Sequence, residues 1–408
     1  MAGAAASALV RPALAQGRAK VVVVGGGFGG ATCARALRRA GLDVTLVEAE
    51  ATYMACPFSN AVIAGLRGLE ELRFGYGALR REGVAVVHQA AVAVEVESRR
   101  VVLADGAGVP YDRLVLAPGI DLRFDALPGY DARGAETLPH AWKAGAQTEL
   151  LRRQLDAMED GGTVVVSVPA NPYRCPPGPY ERASLIAHYL KTRKPRSKLI
   201  LLDSKDSFSK QRLFQAAWAS LYPGLLEHVP LSAGGAVTAV DAAERTLSTD
   251  FGDHRASVAN VIPPQQAGRI ARVAGVSDRS GWCPIDPVTF ESRLRPGIHV
   301  IGDAAIGGAI PKSAFAANAE AKVCAEAVAG LLRDEAPAAP KLINTCYSLV
   351  APDYGISIAG VYRPAGDLFA DVEGAGGTSP LDAPLSVRAL EARYAEDWFR
   401  IITADVFG

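Results

Sequence analysis

The stretch Lys20-Val21-Val22-Val23-Val24-Gly25-Gly26-Gly27-Phe28-Gly29-Gly30 decides the fold. Four consecutive valines read as a strand buried on both faces, the signature of a parallel sheet. The glycine run opens into a helix from Ala31 to Ala40, which Gly41 ends. Leu42-Asp-Val44-Thr-Leu46-Val47-Glu48 forms the next strand, so an acidic residue stands 18 positions after the last glycine of Gly-x-Gly-x-x-Gly. Strand, glycine loop, helix and acidic strand end together make a dinucleotide site. Gly25 makes the turn, Gly27 admits a pyrophosphate to the backbone, Gly30 lets helix and strand pack, and Glu48 can bond a ribose hydroxyl.

Working outward, Arg99 to Val109 reads as a hairpin, and Leu114-Val-Leu116 as a buried strand ahead of Ala117-Pro118-Gly119. A second α/β unit follows, with strands Val164–Val168 and Leu199–Asp203 around a helix from Glu181 to Lys191. Ala256 to Pro263 closes it. Gly297-Ile-His-Val-Ile-Gly302-Asp303 then returns to the first domain as a strand with an aspartate at its carboxyl end. A long alanine-rich helix runs to about Arg333, and the proline-rich 336–340 marks a linker. The predicted class is α/β, with two Rossmann-like three-layer domains plus a C-terminal α+β domain.

The 408 residues carry 43 basic and 43 acidic side chains, so no net field favours nucleic acid or an anionic membrane. At 49% hydrophobic and 21% charged, the composition is that of a globular enzyme. Apolar runs are too short to span a bilayer. Met1 to Lys20 is alanine-rich and ends Pro12-Ala13-Leu14-Ala15-Gln16, which resembles the end of a secretory signal and predicts export to the periplasm. Six cysteines, at 33, 56, 175, 283, 324 and 346, contain no Cys-x-x-Cys pair, and the histidines show no ligand spacing, so no metal site is predicted. Cys33, Cys283 and Cys324 read as packed apolar residues.

Cys175 lies in Tyr173-Arg-Cys175-Pro-Pro-Gly-Pro-Tyr-Glu181-Arg182, just after the strand ending at Val168. A fold with two nucleotide sites would place its second glycine loop, for NAD(P)H, at this point. Proline has no N–H to offer a pyrophosphate, and Gly-x-Gly-x-x-Gly is missing. A thiol stands in the nucleotide's place, which points to electrons taken from a small substrate through sulfur chemistry. Glu181 begins the following helix, where its charge suits the dipole.

The Arg174–Arg182 segment, Gly297–Asp303, Asn344-Thr-Cys346-Tyr-Ser348, Leu138–Gly145 and Ala351–Ile358 resemble one family. It is the flavoprotein subunit of flavocytochrome c sulfide dehydrogenase, among the glutathione-reductase-like flavoenzymes, and the likeness runs from about Lys20 to Gly408. The resemblance implies FAD, hydrosulfide as donor and a c-type cytochrome subunit as partner. It implies that Cys56, in Met54-Ala-Cys56-Pro-Phe-Ser-Asn60, bonds the flavin; Pro57 departs from the aromatic residue found there in some members. It also implies a redox-active Cys175–Cys346 disulfide, with Glu181 managing protons and Trp398 covering the flavin. Gly302 and Asp303 would hold the ribityl or pyrophosphate region, and Lys312 would place a positive charge near the flavin pyrimidine. Hydrosulfide would open the bridge by thiol–disulfide exchange; which cysteine it attacks stays open.

On this reading residues 1–19 are a signal remnant or disordered, and 20–125 with 275–335 form the FAD-binding domain. Residues 126–274 form a second Rossmann-like domain without an NAD(P)H site, and 336–408 a C-terminal domain for flavin cover and cytochrome docking. Two alternatives remain: a sulfide:quinone oxidoreductase, for which the mixed charge of Leu385–Phe407 is a poor membrane anchor, and a non-catalytic flavin-bearing docking subunit. A disulfide reductase is disfavoured, since Cys56 lacks a partner at Cys-x-x-x-x-Cys spacing.

Overall fold

A computed structural model describes residues 18–408, so the expected signal sequence near Ala13-Leu14-Ala15 lies outside the described residues. The chain opens with β1 (Lys20–Val24), α1 (Phe28–Arg39) and β2 (Asp43–Val47). A short helix α2 (Ser59–Ile63) precedes β3 (Ala85–Val87), β4 (Arg113–Leu116) and β5 (Ile120–Leu122). Then come α3 (Ala146–Ala157), β6 (Thr163–Val168), α4 (Gly178–Arg193), β7 (Lys198–Asp203), α5 (Gln211–Leu221) and β8 (Leu226–Val229). The chain continues through β9 (Val258–Val261), β10 (Gln265–Ala267), β11 (Ile298–Val300) and α6 (Ala314–Leu331). It closes with β12 (Leu342–Ala351), β13 (Tyr354–Ala365), β14 (Leu368–Asp371) and α7 (Leu385–Phe407).

Two parallel sheets dominate. The first has the order β11-β4-β1-β2-β3, and the second β8-β7-β6-β9. Strand β1 is buried along all four valines, as befits the middle strand of a parallel sheet, with α1 and the antiparallel strand Gly108–Pro110 both packed near it. The antiparallel pair β5–β10 lies at the passage between the two units. A third, antiparallel sheet, β12-β13-β14, ends the chain and carries α7. This is the glutathione-reductase-like α/β architecture with a C-terminal sheet domain that the sequence predicts.

Gly25 and Gly30 explain why the first unit closes so tightly. Gly25 has φ 99°, a left-handed value suited to glycine. A β-carbon on Gly30 would lie 1.8 Å from the Gly25 carbonyl oxygen. Helix α1 therefore meets β1 backbone to backbone, and its first-turn amides face the space beyond the sheet.

Small side chains seal the junction of the three units. Ala61, Ala64, Leu185, Leu349, Ala392 and Ala395 form one buried cluster drawn from α2, α4, β12 and α7. At the other end of α7, Phe407 stacks on Phe74 (5.2 Å) and Tyr53 (5.3 Å) and meets Phe28 edge-on at 5.7 Å. Buried Arg35 in α1 donates to the carbonyls of Asp405 (2.5 Å) and Gly408 (2.6 Å), which have no intrahelical partners at this terminus. Phe407→Ala should destabilise the protein by about 3–5 kcal/mol. Denaturant unfolding measures it; a loss under about 1 kcal/mol would show that α7 is held elsewhere.

Candidate active site

A cavity of about 750 Å³ opens at the carboxyl ends of β1 and β11 and extends to the junction with the second and third units. Ligands bind at this edge of open α/β sheets. Gly25 and Gly27 line one end with Glu48, whose Oε2 accepts from the Gly26 amide at 2.6 Å and Oε1 from the Glu50 amide at 3.0 Å. Gly30 lies outside the lining, packed against Gly25. Gly302, with φ 72°, and Asp303 line the cavity beyond β11.

Three lining residues carry buried polar atoms with no partner: Asp303 Oδ1, Trp142 Nε1 and Trp398 Nε1. Buried polar atoms are ordinarily satisfied, so orphans converging on one cavity mark groups that await a ligand. Together with the glycine loop, they fit a flavin dinucleotide. Burial raises the Asp303 carboxyl, with Arg174 and Lys312 pulling the other way.

The other wall carries sulfur. Cys56 lies between the strand Thr52–Met54 and α2, its Sγ 4.0 Å from the Trp142 carbonyl. Cys175 and Cys346 line the same cavity from the loop after β6 and from β12. Both are thiols in this structure. Cys175 has φ 57°, held by its own amide donating to the Lys312 carbonyl and its carbonyl accepting from the Gly178 amide, each at 2.8 Å. Burial pushes its thiol up, and Cys346 is the largest charged influence in the same direction.

Glu181 joins them. Its Oε2 accepts from Asn60 Nδ2 at 2.9 Å and its Oε1 from the Leu349 amide at 2.8 Å. Burial raises this carboxyl against those hydrogen bonds and the nearby Lys210 and Arg182. Lys312, expected beside the cofactor, stands outside the lining. Its Nζ donates to the carbonyls of Asp303 and Ala305, both at 2.7 Å, and sits 4.0 Å from the Trp282 ring centre. It ties down the turn that carries Asp303. Arg174, Asn60, Trp142 and Lys210 went unassigned from sequence, since each acquires meaning only through contacts across domains.

Two family models cover much of the chain: the central part of the sulfide dehydrogenase [flavocytochrome c] flavoprotein chain over residues 148–263, and the flavocytochrome c sulphide dehydrogenase flavin-binding part over 338–407. A pyridine nucleotide-disulphide oxidoreductase model matches 19–166. The sulfide dehydrogenase [flavocytochrome c] flavoprotein chain of Chlorobaculum thiosulfatiphilum is 56% identical over 48 residues, 11% of this chain and all of that sequence. The chain belongs to the flavocytochrome c sulfide dehydrogenase flavoprotein family.

This family consists of sulfide-oxidising FAD oxidoreductases within the pyridine nucleotide-disulphide oxidoreductase superfamily. Mitochondrial sulfide:quinone oxidoreductase of Mus musculus is 22% identical over 308 residues, 70% of this chain and 65% of that protein's length. The solved sulfide:quinone oxidoreductase of Aquifex aeolicus superposes with a TM-score of 0.74 at 18% identity, covering 95% of this chain and 92% of that one. That likeness is one of fold.

Glu320 supports the Asp303 turn from beneath, its Oε2 accepting from the Gly302 amide at 2.6 Å. Burial raises its carboxyl from the ordinary 4.5 to about 8. Between those values the folded chain keeps a proton that the unfolded chain has released. The stability this contributes is full below about pH 4.5 and is lost as pH rises through about 8. Glu320→Gln should flatten that decline in the melting temperature; an unchanged pH profile would assign it to other groups.

Proposed function

We propose that the chain oxidises hydrosulfide at a Cys175–Cys346 bridge, with FAD bonded covalently to Cys56, and passes the electrons to a c-type cytochrome subunit. The observation that carries this reading is the convergence of Cys175, Cys346 and Glu181, from two different units, on the cavity that also holds the glycine loop. Cys56 lines the same cavity, within reach of a ligand laid along it.

The bridge is polarised by its surroundings. Burial disfavours an anion at Cys175, which makes Cys175 a poor leaving group. Hydrosulfide therefore attacks the Cys175 sulfur. One S–S bond forms as the bridge breaks, and the electron pair of the broken bond goes to Cys346. The products are a persulfide on Cys175 and a thiolate on Cys346. Glu181, fixed between Asn60 and the Leu349 amide, accepts the persulfide proton. Bound FAD supplies a two-electron acceptor able to release electrons singly. Asp303, the glycine loop and Glu48 would hold it along the cavity, and Trp398 would shield it from water.

Cytochrome as acceptor draws support from the family's flavocytochrome character. On α7, Leu390, Tyr394 and Ile401 are exposed along one helical face, suited to a protein contact. Among the described residues, no helix is long and apolar enough to cross a membrane. The proposal places the protein in the periplasm, where disulfides persist; the Pro12–Gln16 sequence supports this.

Cys175→Ser should slow sulfide-dependent flavin bleaching by about two orders of magnitude or more. Unchanged bleaching would leave a docking subunit as the better reading. After acid precipitation, the parent's pellet should retain flavin fluorescence and that of Cys56→Ala should lose it. Flavin wholly in the parent's supernatant would count against the covalent bond.

A further inference from the structure

Lys210 takes no part in the chemistry derived so far. It stands immediately before α5, 6% exposed. Its Nζ donates to Ser348 Oγ at 2.8 Å and to the Cys346 carbonyl at 3.3 Å. Among the described residues, no carboxylate lies within ion-pair distance of it. Lys205, five residues earlier, is buried too, but it bonds Asp203 at 2.7 Å. The backbone of Lys210 is also left-handed, with φ 62°. A residue with a β-carbon holds that conformation when its surroundings fix it there.

A buried ammonium without a counter-ion is unfavourable unless an anion forms beside it. The charged and titratable groups facing Lys210 are Cys346 on β12, Glu181 on α4, Cys175 on its loop and Glu391 on α7. Glu391 is already engaged by Ser357, Ser379 and Arg388. Glu181 is held by Asn60 and the Leu349 amide and lies near Arg182. The sulfur of Cys346 accepts from Asn344 Nδ2 at 3.4 Å; burial lowers the Lys210 ammonium, and Cys346 heads the charges that act against this.

We propose that Lys210 is a positioning residue that supplies the counter-charge for the thiolate released at Cys346 when the bridge opens. The inference rests on the sulfide-oxidising reading above. In that step hydrosulfide brings one negative charge and the bridge none; at the moment of exchange, before Glu181 takes the persulfide proton, the persulfide on Cys175 is neutral and the charge resides on Cys346. Lys210 thus waits where the charge arrives. Preorganised charge of this kind favours the product side of the exchange without rearrangement. Fixed to the Cys346 carbonyl and to Ser348, the same ammonium also holds β12 in place.

The test follows thiol reactivity in the holoprotein, reduced anaerobically with dithiothreitol and alkylated with iodoacetamide, with each cysteine resolved by peptide mass spectrometry. In the parent protein Cys346 should react before Cys175. Lys210→Met should slow Cys346 about tenfold or more near neutral pH, with the difference closing at high pH, where both forms are ionised. A change within about twofold, or a slowing equal at every pH, would overturn the role. Should Lys210→Met fail to fold, the order of reaction in the parent decides: Cys175 reacting first overturns the proposal. These rates need no sulfide turnover. An unaffected Cys346 with intact sulfide-dependent bleaching removes Lys210 alone, whereas absent bleaching with the predicted rates removes the sulfide reading.

Discussion

Desolvation of charge is the constraint on which the site depends. Burial drives several groups at the cavity toward their neutral forms, the Cys175 thiol and the Glu181 and Asp303 carboxyls upward and, behind the lining, the Lys210 ammonium downward, whereas burial of Arg174 is outweighed by the anions around it. Arg182, fully enclosed, is pulled down to about 9. It is held by Asn60 Oδ1 at 2.9 Å, by Asn260 Oδ1 at 3.0 Å and by the carbonyls of His140 and Ala141. Hydrogen bonds thus stand in for water around a cation that is not itself reacting. The groups with reactive atoms are left with fewer partners, so charge appearing among them is strongly felt.

The same fold unit is used twice, with opposite outcomes at its carboxyl edge. In the first unit the glycine loop leaves amides facing an open cavity. In the second, Asp203 at the end of β7 is enclosed and fully engaged. Tyr180 donates to its Oδ2 at 2.7 Å, His228 Nε2 lies 3.2 Å from that oxygen, and Lys205 bonds Oδ1 at 2.7 Å. Phe208 stacks on Tyr180 at 3.6 Å between ring centres. An acidic strand end that could have met a ribose instead anchors the helix that starts at the Cys175 loop.

Local patterns carried the first unit and the strands of the second, because valine runs and glycine turns act through neighbours in sequence. Helix α4 begins at Gly178 rather than Glu181, since Pro179 in its first turn has no N–H bond to lose. Likewise α1 begins at Phe28, taking Gly29 and Gly30 into its first turn. The shared cavity of Cys175 and Cys346 was reached only by resemblance, for they stand 171 positions apart in the chain. Lys210 gave no signal at all: its meaning lies in two hydrogen bonds to another unit.

Cys175 shows how the units constrain one another. A left-handed backbone at a residue with a β-carbon costs about 1–2 kcal/mol, so something must fix it. Its amide is claimed by the Lys312 carbonyl, in the segment that leads into α6 of the first unit. The ammonium of that same lysine secures the Asp303 turn. The thiol of the second unit and the carboxylate of the first are therefore set by one residue, from its main chain and its side chain. Displacing Lys312 would shift both walls of the cavity together, which makes its structural position, behind the lining, a stronger constraint on the site than a direct contact with the cofactor would be.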